Sequence, residues 1–211
     1  MNNKILRDLN YGVYVIGCKD KDRNVGCIAN SVMQITSDPV TIAISINKDN
    51  YTNSCIKERG LFSISVLNEA SNPEIIGTFG FSTSKEVDKY LNFDYEIKEE
   101  MPVITDSNGF IVCDVTNVLE TSTHTIFIGK VIAMDKFMDK QAMSYSFYHE
   151  VLKGKSPKNA PTYIKETIID EIKSNRWKCK ICGYIYEGSE LPMDFRCPIC
   201  KQKRDFFEKI D

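Results

Sequence analysis

The sequence predicts a mainly β chain in two parts, a small barrel followed by a compact domain built around one four-cysteine metal site. Three observations predict it. β-branched and aromatic runs recur through residues 1–160 with few helical patterns between them, and many short strands favour a barrel over a parallel α/β sheet. Two CxxC pairs, Cys179/Cys182 and Cys197/Cys200, lie near the C-terminal end, a spacing that gathers four thiolates on one metal. Between the two parts the composition changes at Lys153–Tyr163, where Gly154, Pro157, Pro161 and several lysines read as an exposed loop.

Each element has its own signal. Tyr11–Cys18 is a β-branched and aromatic strand. Val40–Ile46 alternates isoleucine with small or polar residues, and Leu61–Leu67 alternates the same way, so each has one buried face. Gly109–Glu120 and Thr123–Asp135 are two long strands, and Asp106-Ser107-Asn108-Gly109 is a tight-turn signal before the first. Tyr51–Arg59 and Pro73–Phe79 read as short helices, as does Ile164–Ser174 with Ile168, Ile169 and Ile172 on one side. The expected domains are a barrel over 1–160, a linker helix over 161–175 and a metal domain over 176–211, with the break near Ser174-Asn175.

Composition narrows the function. A chain of 211 residues suits one ordinary domain plus a small appendage. A net charge of −2 leaves no electrostatic footprint for nucleic acid or an anionic membrane. No apolar stretch approaches the roughly 20 residues that cross a bilayer. Met1–Asp8 lacks the apolar core of a signal peptide, so a cytoplasmic protein is expected. No Gly-x-Gly-x-x-Gly supports a Rossmann nucleotide site. Of the eight cysteines, Cys18, Cys27, Cys55 and Cys113 are scattered among apolar segments and read as buried small side chains rather than a disulfide framework.

The last part, about 36 residues, is too short to bury a sufficient core, so a metal is expected to staple it. Soft thiolates at tetrahedral corners select zinc or iron, and the spacing alone does not separate them. Trp177, Tyr184, Tyr186 and Phe206 would form an aromatic shell, which leans toward iron. Trp177-Lys178-Cys179, the Cys-Gly-Tyr-x-Tyr run from Cys182 to Tyr186, Glu187-Gly188, Cys197-Pro198-Ile199-Cys200 and Asp205-Phe206-Phe207 together resemble rubredoxin. The 14 residues between Cys182 and Cys197 are fewer than in free rubredoxins, and the segment is similar in this to the tails of rubrerythrins. The resemblance implies one iron per chain on Cys179, Cys182, Cys197 and Cys200.

In the barrel, Asn30–Thr36 is a polar cluster within an apolar run, Ser45-Ile46-Asn47 ends a strand, and Asn50-Tyr51-Thr52 opens a helix. Such a helix start seats a phosphate, and Asn50 or Thr52 reads equally as a plain N-cap. Cys27–Pro39 followed by Ile42–Ile46, with His124–Val131 later, resembles the flavin reductase family, whose fold is the FMN-binding split barrel. The resemblance covers about residues 5–150. It implies that Asn30, Ser31, Val32 and Met33 line the flavin ring, that Ser45, Ile46, Asn47, Asn50, Tyr51 and Thr52 hold the ribityl chain and phosphate, and that Thr36 also belongs to the cofactor site. It also implies sites at a dimer interface, with Phe81, His124 and Tyr148 as further contacts. His124 is the candidate for touching flavin or nicotinamide, since histidine changes charge near neutral pH.

The order of the two parts, with Tyr148–Lys155 and Pro157–Tyr163 between them, is similar to the high-molecular-weight rubredoxins of anaerobic bacteria. That group implies a mainly β FMN-binding split barrel with a small C-terminal rubredoxin-like metal domain. It implies a homodimeric, NAD(P)H-dependent oxidoreductase that uses FMN and one iron to deliver electrons to a flavodiiron O2 or NO reductase. Two other classes fit the residues: a reductase that releases reduced FMN, and a zinc-stabilised module without catalysis.

Overall fold

Alternation of apolar residues sets the strands, and a computed structural model describes them for residues 3–152, 154, 176–188 and 190–210. The linker helix expected over 161–175 lies outside the described residues. The barrel begins with a hairpin of β1 (Tyr14–Asp20) and β2 (Arg23–Ala29), then β3 (Val32–Ser37) and β4 (Val40–Asn47). Helix α1 (Tyr51–Arg59), β5 (Leu61–Val66) and helix α2 (Pro73–Phe81) follow. A small hairpin of β6 (Tyr95–Lys98) and β7 (Met101–Ile104) precedes the long pair β8 (Gly109–Glu120) and β9 (His124–Lys136), and helix α3 (Tyr145–Glu150) ends this part. The tail holds β10 (Arg176–Cys179), β11 (Ile185–Glu187) and β12 (Phe207–Ile210).

Seven strands form one antiparallel sheet in the order β2-β1-β5-β8-β9-β4-β3. Its two ends meet around one core. Cys27 and Ala29 from β2 share a buried cluster with Ile42, Ile44 and Ile46 from β4, five places away in the order, and with Phe62, Val112 and Phe127 between. The sheet therefore curls into a barrel without a hydrogen-bonded seam among the described pairings, which is the split-barrel architecture. Cys18, Cys27, Cys55 and Cys113 all lie in this core as free thiols.

β1 is covered on both sides, which explains its nearly unbroken apolar run. Ile16 and Cys18 face the barrel interior, while Val15, with Val13 just before the strand, joins α2, Met143 and Tyr148 in a second cluster outside it. Asn72 caps α2 by accepting from the Glu74 amide at 3.0 Å, and Pro73 occupies the first turn, where its missing N–H costs nothing. Lys89 then fastens α2 to the sheet. Its ammonium, 3% exposed, donates to the Gly26 carbonyl of β2 at 2.9 Å and to the Phe79 carbonyl of α2 at 3.1 Å.

Burial pulls the Lys89 ammonium down to about 8 from 10.5, with Cys27 opposing weakly. The folded protein thus holds this proton less firmly than the unfolded chain. The penalty is full below pH 8 and fades as pH rises from about 8 to 10.5. Wild-type protein is expected to gain thermal stability relative to Lys89→Met across that window. Parallel thermal melts of the two proteins from pH 7.5 to about 10 check this, and a constant difference across the range counts against it.

Candidate functional site

The tail is organised by its sulfurs. β10 pairs with β11 and β12, setting Cys179 opposite Phe207. The two CxxC knuckles repeat one geometry. The Gly183 amide donates to the Cys179 carbonyl at 2.9 Å, and the Lys201 amide donates to the Cys197 carbonyl at 2.9 Å. The residue after each second cysteine takes a left-handed turn, φ 77 at Gly183 and φ 55 at Lys201. The Cys179 amide donates to the Tyr184 carbonyl and the Cys197 amide to the Gln202 carbonyl.

The four Sγ atoms all lie within 4.8 Å of one another, with Cys179–Cys200 at 3.6 Å and Cys182–Cys197 at 3.4 Å. A tetrahedron with metal–sulfur bonds near 2.3 Å has edges of about 3.8 Å, so these sulfurs fit one iron or zinc ion. Hydrogen bonds among the four sulfurs push the Cys179 and Cys200 thiols below their usual range and the Cys182 and Cys197 thiols above it, as expected of groups crowded around one point and sharing protons. Trp177, Tyr184, Tyr186 and Phe195 pack around the ligands. Of the expected aromatic shell, Phe206 points outward at 42% exposure, and its neighbour Phe207 is buried instead, because β12 turns that side chain inward beside Cys179. Leu191 and Phe195 fill the short middle segment, with Phe195 edge-on to both Tyr186 and Phe207.

In the barrel the polar residues gather where β3 begins and β4 ends, at the end of that pair away from its connecting turn. Asn30 is buried and its Oδ1 accepts from the Ser31 hydroxyl at 2.9 Å. The Ser45 amide donates to the Ser31 carbonyl at 3.1 Å, and Val32 lies opposite Ile44. Met33 and Thr36 are exposed along the outer strand β3. The Ile46 side chain belongs to the barrel core, and its carbonyl accepts from Asn53 Nδ2 at 3.0 Å. Asn47 stands opposite His124 in the β4–β9 register.

Asn50 Oδ1 accepts from the Thr52 amide at 3.0 Å, so Asn50 is itself the N-cap of α1. The Tyr51 hydroxyl donates to Asp20 Oδ2 at 2.7 Å. Two cations flank the Tyr51 ring: the Lys85 ammonium at 5.8 Å, and the Arg23 guanidinium at 5.6 Å, which also pairs with Asp20 at 3.0 Å. Sequence reasoning missed both. Lys85 carries a weak signal, a lone cation after the hydroxyl run Ser82-Thr83-Ser84.

Two buried polar atoms near this turn have no hydrogen-bond partner among the described residues, the Thr52 hydroxyl and His124 Nε2. Burial lowers the His124 imidazole below its usual range, so it is neutral at pH 7, with Nδ1 bonded to the Thr123 hydroxyl at 2.9 Å. Two orphaned polar atoms, two cations and the half-buried hydroxyl and amide groups of Ser31, Ser45, Asn47 and Asn50 fit a phosphate-bearing flavin. The other expected contacts stand apart from this turn in their packing. Tyr148 is buried in the second core cluster, near-parallel to Tyr145. Phe81 packs against the metal domain's core.

Comparison with known proteins agrees with the two-part architecture. Residues 6–153 match the flavin reductase like domain, and residues 177–208 match the rubrerythrin, rubredoxin-like domain. The chain is 37% identical to the high molecular weight rubredoxin of Moorella thermoacetica, covering 100% of each. It is 36% identical to a ferric-chelate reductase (NAD(P)H) of Archaeoglobus fulgidus, over 74% of this chain and 94% of the relative. Among solved structures, the NADH:FAD oxidoreductase of Streptomyces globisporus superposes with a TM-score of 0.62 at 24% identity, covering 67% of this chain and 85% of that one. With a barrel matched over 6–153, a four-cysteine tail matched over 177–208 and a relative aligned from end to end, the chain belongs to the flavin reductase family, in the branch that carries a C-terminal rubredoxin-like iron domain.

Proposed function

We propose that the protein is an NAD(P)H-dependent flavoprotein oxidoreductase that passes electrons from FMN to the four-cysteine iron and on to a redox protein such as a flavodiiron O2 or NO reductase. One observation carries this reading: a single helix packs on the metal knuckle and on the strand that leads into Asn30. Gly80 of α2 faces Ile28, two residues before Asn30, and Gly77 of the same helix lies against the knuckle backbone at Ile199 and Cys200. Bound FMN supplies the conversion of a two-electron hydride donor into one-electron steps.

The chain's residues do the rest. Asn30, Ser31, Val32, Met33 and Thr36 hold the ring edge along β3. Ser45, Asn47 and the Asn50–Thr52 turn hold the ribityl chain. Because Asn50 caps α1, the phosphate charge falls to Lys85 and Arg23 rather than to free helix amides. Neutral His124 offers a hydrogen bond without repelling a cationic nicotinamide. Met33, Ile35, Val118, Leu119, Ile132 and Met134 are exposed apolar side chains on β3, β8 and β9, which supports a homodimer formed through that side. The name of the Archaeoglobus fulgidus relative supports NAD(P)H as the donor. Among the described residues no helix is long and apolar enough to cross a membrane.

The visible spectrum of the native protein tests the reading. Flavin and ferric-thiolate bands should both persist through gel filtration of a dimer, and both should bleach anaerobically on adding NADH or NADPH. Flavin lost on the column favours a reductase that releases reduced FMN. A colourless protein holding zinc favours a non-catalytic module.

A further inference from the structure

The two metal knuckles are built alike but are placed differently. Ile199, inside the second, is 1% exposed, whereas Ile181, inside the first, is 41% exposed; among the four ligands only Cys200, at the edge of the second knuckle, is not fully buried. The difference comes from α2. Glu74, Gly77 and Phe81 recur at three- and four-residue spacing and so share one face of that helix. A Cβ on Gly77 would meet the Ile199 carbonyl at 2.5 Å and Cys200 Cα at 3.0 Å, so the knuckle backbone rests directly on the helix. Glu74 pairs with Lys201, the residue after Cys200, at 3.2 Å. Phe81 and Leu152 close the contact by packing on the metal domain's core. On the far side, the Lys180 amide donates to the Phe206 carbonyl at 2.7 Å, which brings exposed Ile181, Lys180 and Phe206 together at the surface.

We propose that the Glu74–Gly77–Phe81 face of α2 is a seat shaped for the Cys197–Cys200 knuckle of the same chain, and that this seat divides the work of the two knuckles. The Cys197–Cys200 knuckle is the inner side, through which the iron receives electrons from the barrel. The Cys179–Cys182 knuckle, with Lys180, Ile181 and Phe206, is the outer side, presented to a redox protein with an apolar patch bordered by carboxylates. This rests on the relay reading above. Each passage moves one electron: ferric iron becomes ferrous at the expense of flavin already reduced by NAD(P)H, and ferrous iron returns to ferric as the acceptor is reduced.

The test uses the full chain in its metal-loaded form. Amide hydrogen exchange over residues 74–81 and 197–202 reads the seat without any turnover. Gly77→Leu should raise exchange in both segments by about tenfold, because its side chain displaces backbone. Glu74→Lys and Lys201→Glu should each raise it by about two- to fivefold, and the double variant should restore it. In stopped-flow, Gly77→Leu should slow iron reduction by NAD(P)H while leaving flavin reduction unchanged. Ile181→Glu should leave iron reduction unchanged and slow delivery to a purified flavodiiron protein. Wild-type exchange and iron reduction in Gly77→Leu overturns the seat. Restoration on mixing Glu74→Lys with Lys201→Glu protein overturns the same-chain assignment. An iron that NAD(P)H never reduces in wild type overturns the relay, and the exchange experiment still decides the seat.

Discussion

Replacing Cys197 by serine is expected to erase the iron–thiolate colour and unfold residues 176–210 while the barrel keeps its melting transition. The tail has little else to hold it. Its three strands are four, three and four residues long. Its buried cluster consists of Cys179, Cys182, Leu191, Cys197, Ile199 and Phe207, so half of the cluster is metal ligands. Metal binding in comparable small domains supplies about 10–16 kcal/mol, whereas the strands alone are too short to stand in water. A serine in place of one thiolate removes a soft ligand from the site and leaves its hydroxyl buried. The barrel's main cluster contains no tail residue, so its unfolding should not move with the metal. Trp177 is the chain's only tryptophan and lies in β10, so its fluorescence reports the tail alone. Metal titration should show affinity down by at least about a thousandfold, or about 4 kcal/mol. Full iron occupancy with an unchanged Trp177 signal would defeat the assignment.

The metal site was legible because its chemistry is local. Two CxxC pairs, a glycine after the first and a Trp two residues before it are read in one short segment. The long strands were legible for a similar reason. Asn108-Gly109 and the β-branched run after it fix β8 at Gly109–Glu120, and the helices start where Asn50 and Asn72 cap them. β2 was hidden. Arg23-Asn24-Val25-Gly26 has no clean alternation, and Gly26 is there because the Ile16 carbonyl of β1 and the Tyr90 hydroxyl approach closely. Tertiary contact also explains the mid-helix glycine of α2. Gly77 costs helix stability by about 1 kcal/mol on propensity alone, and what it accommodates is a backbone far later in the chain, at Ile199 and Cys200. Phe81 carries the same lesson. Family resemblance alone pointed it at flavin, and only the packed structure shows it against the metal domain.

Removing the tail is expected to separate the two halves of the activity. A chain ending at Asn175 should keep its FMN and its reaction with NAD(P)H within about twofold, since every residue proposed for the flavin and nicotinamide lies before residue 154. Among the described residues the cut uncovers the α2 face around Glu74, Gly77 and Phe81 and the side of Leu152, leaving both core clusters of the barrel intact. Delivery to a one-electron protein acceptor should fall by about a hundredfold or more, because the tether and the seat on α2 make the second centre an intramolecular partner and a free acceptor has no such advantage. Sequential mixing reads the two steps apart: reduction by NAD(P)H first, then exposure to the oxidised acceptor. Adding back the separate metal-loaded tail should restore some delivery in proportion to its concentration, as expected when a tethered contact becomes bimolecular. If the shortened chain matches the full chain in the second step, the flavin serves the acceptor directly and the iron is not on the path.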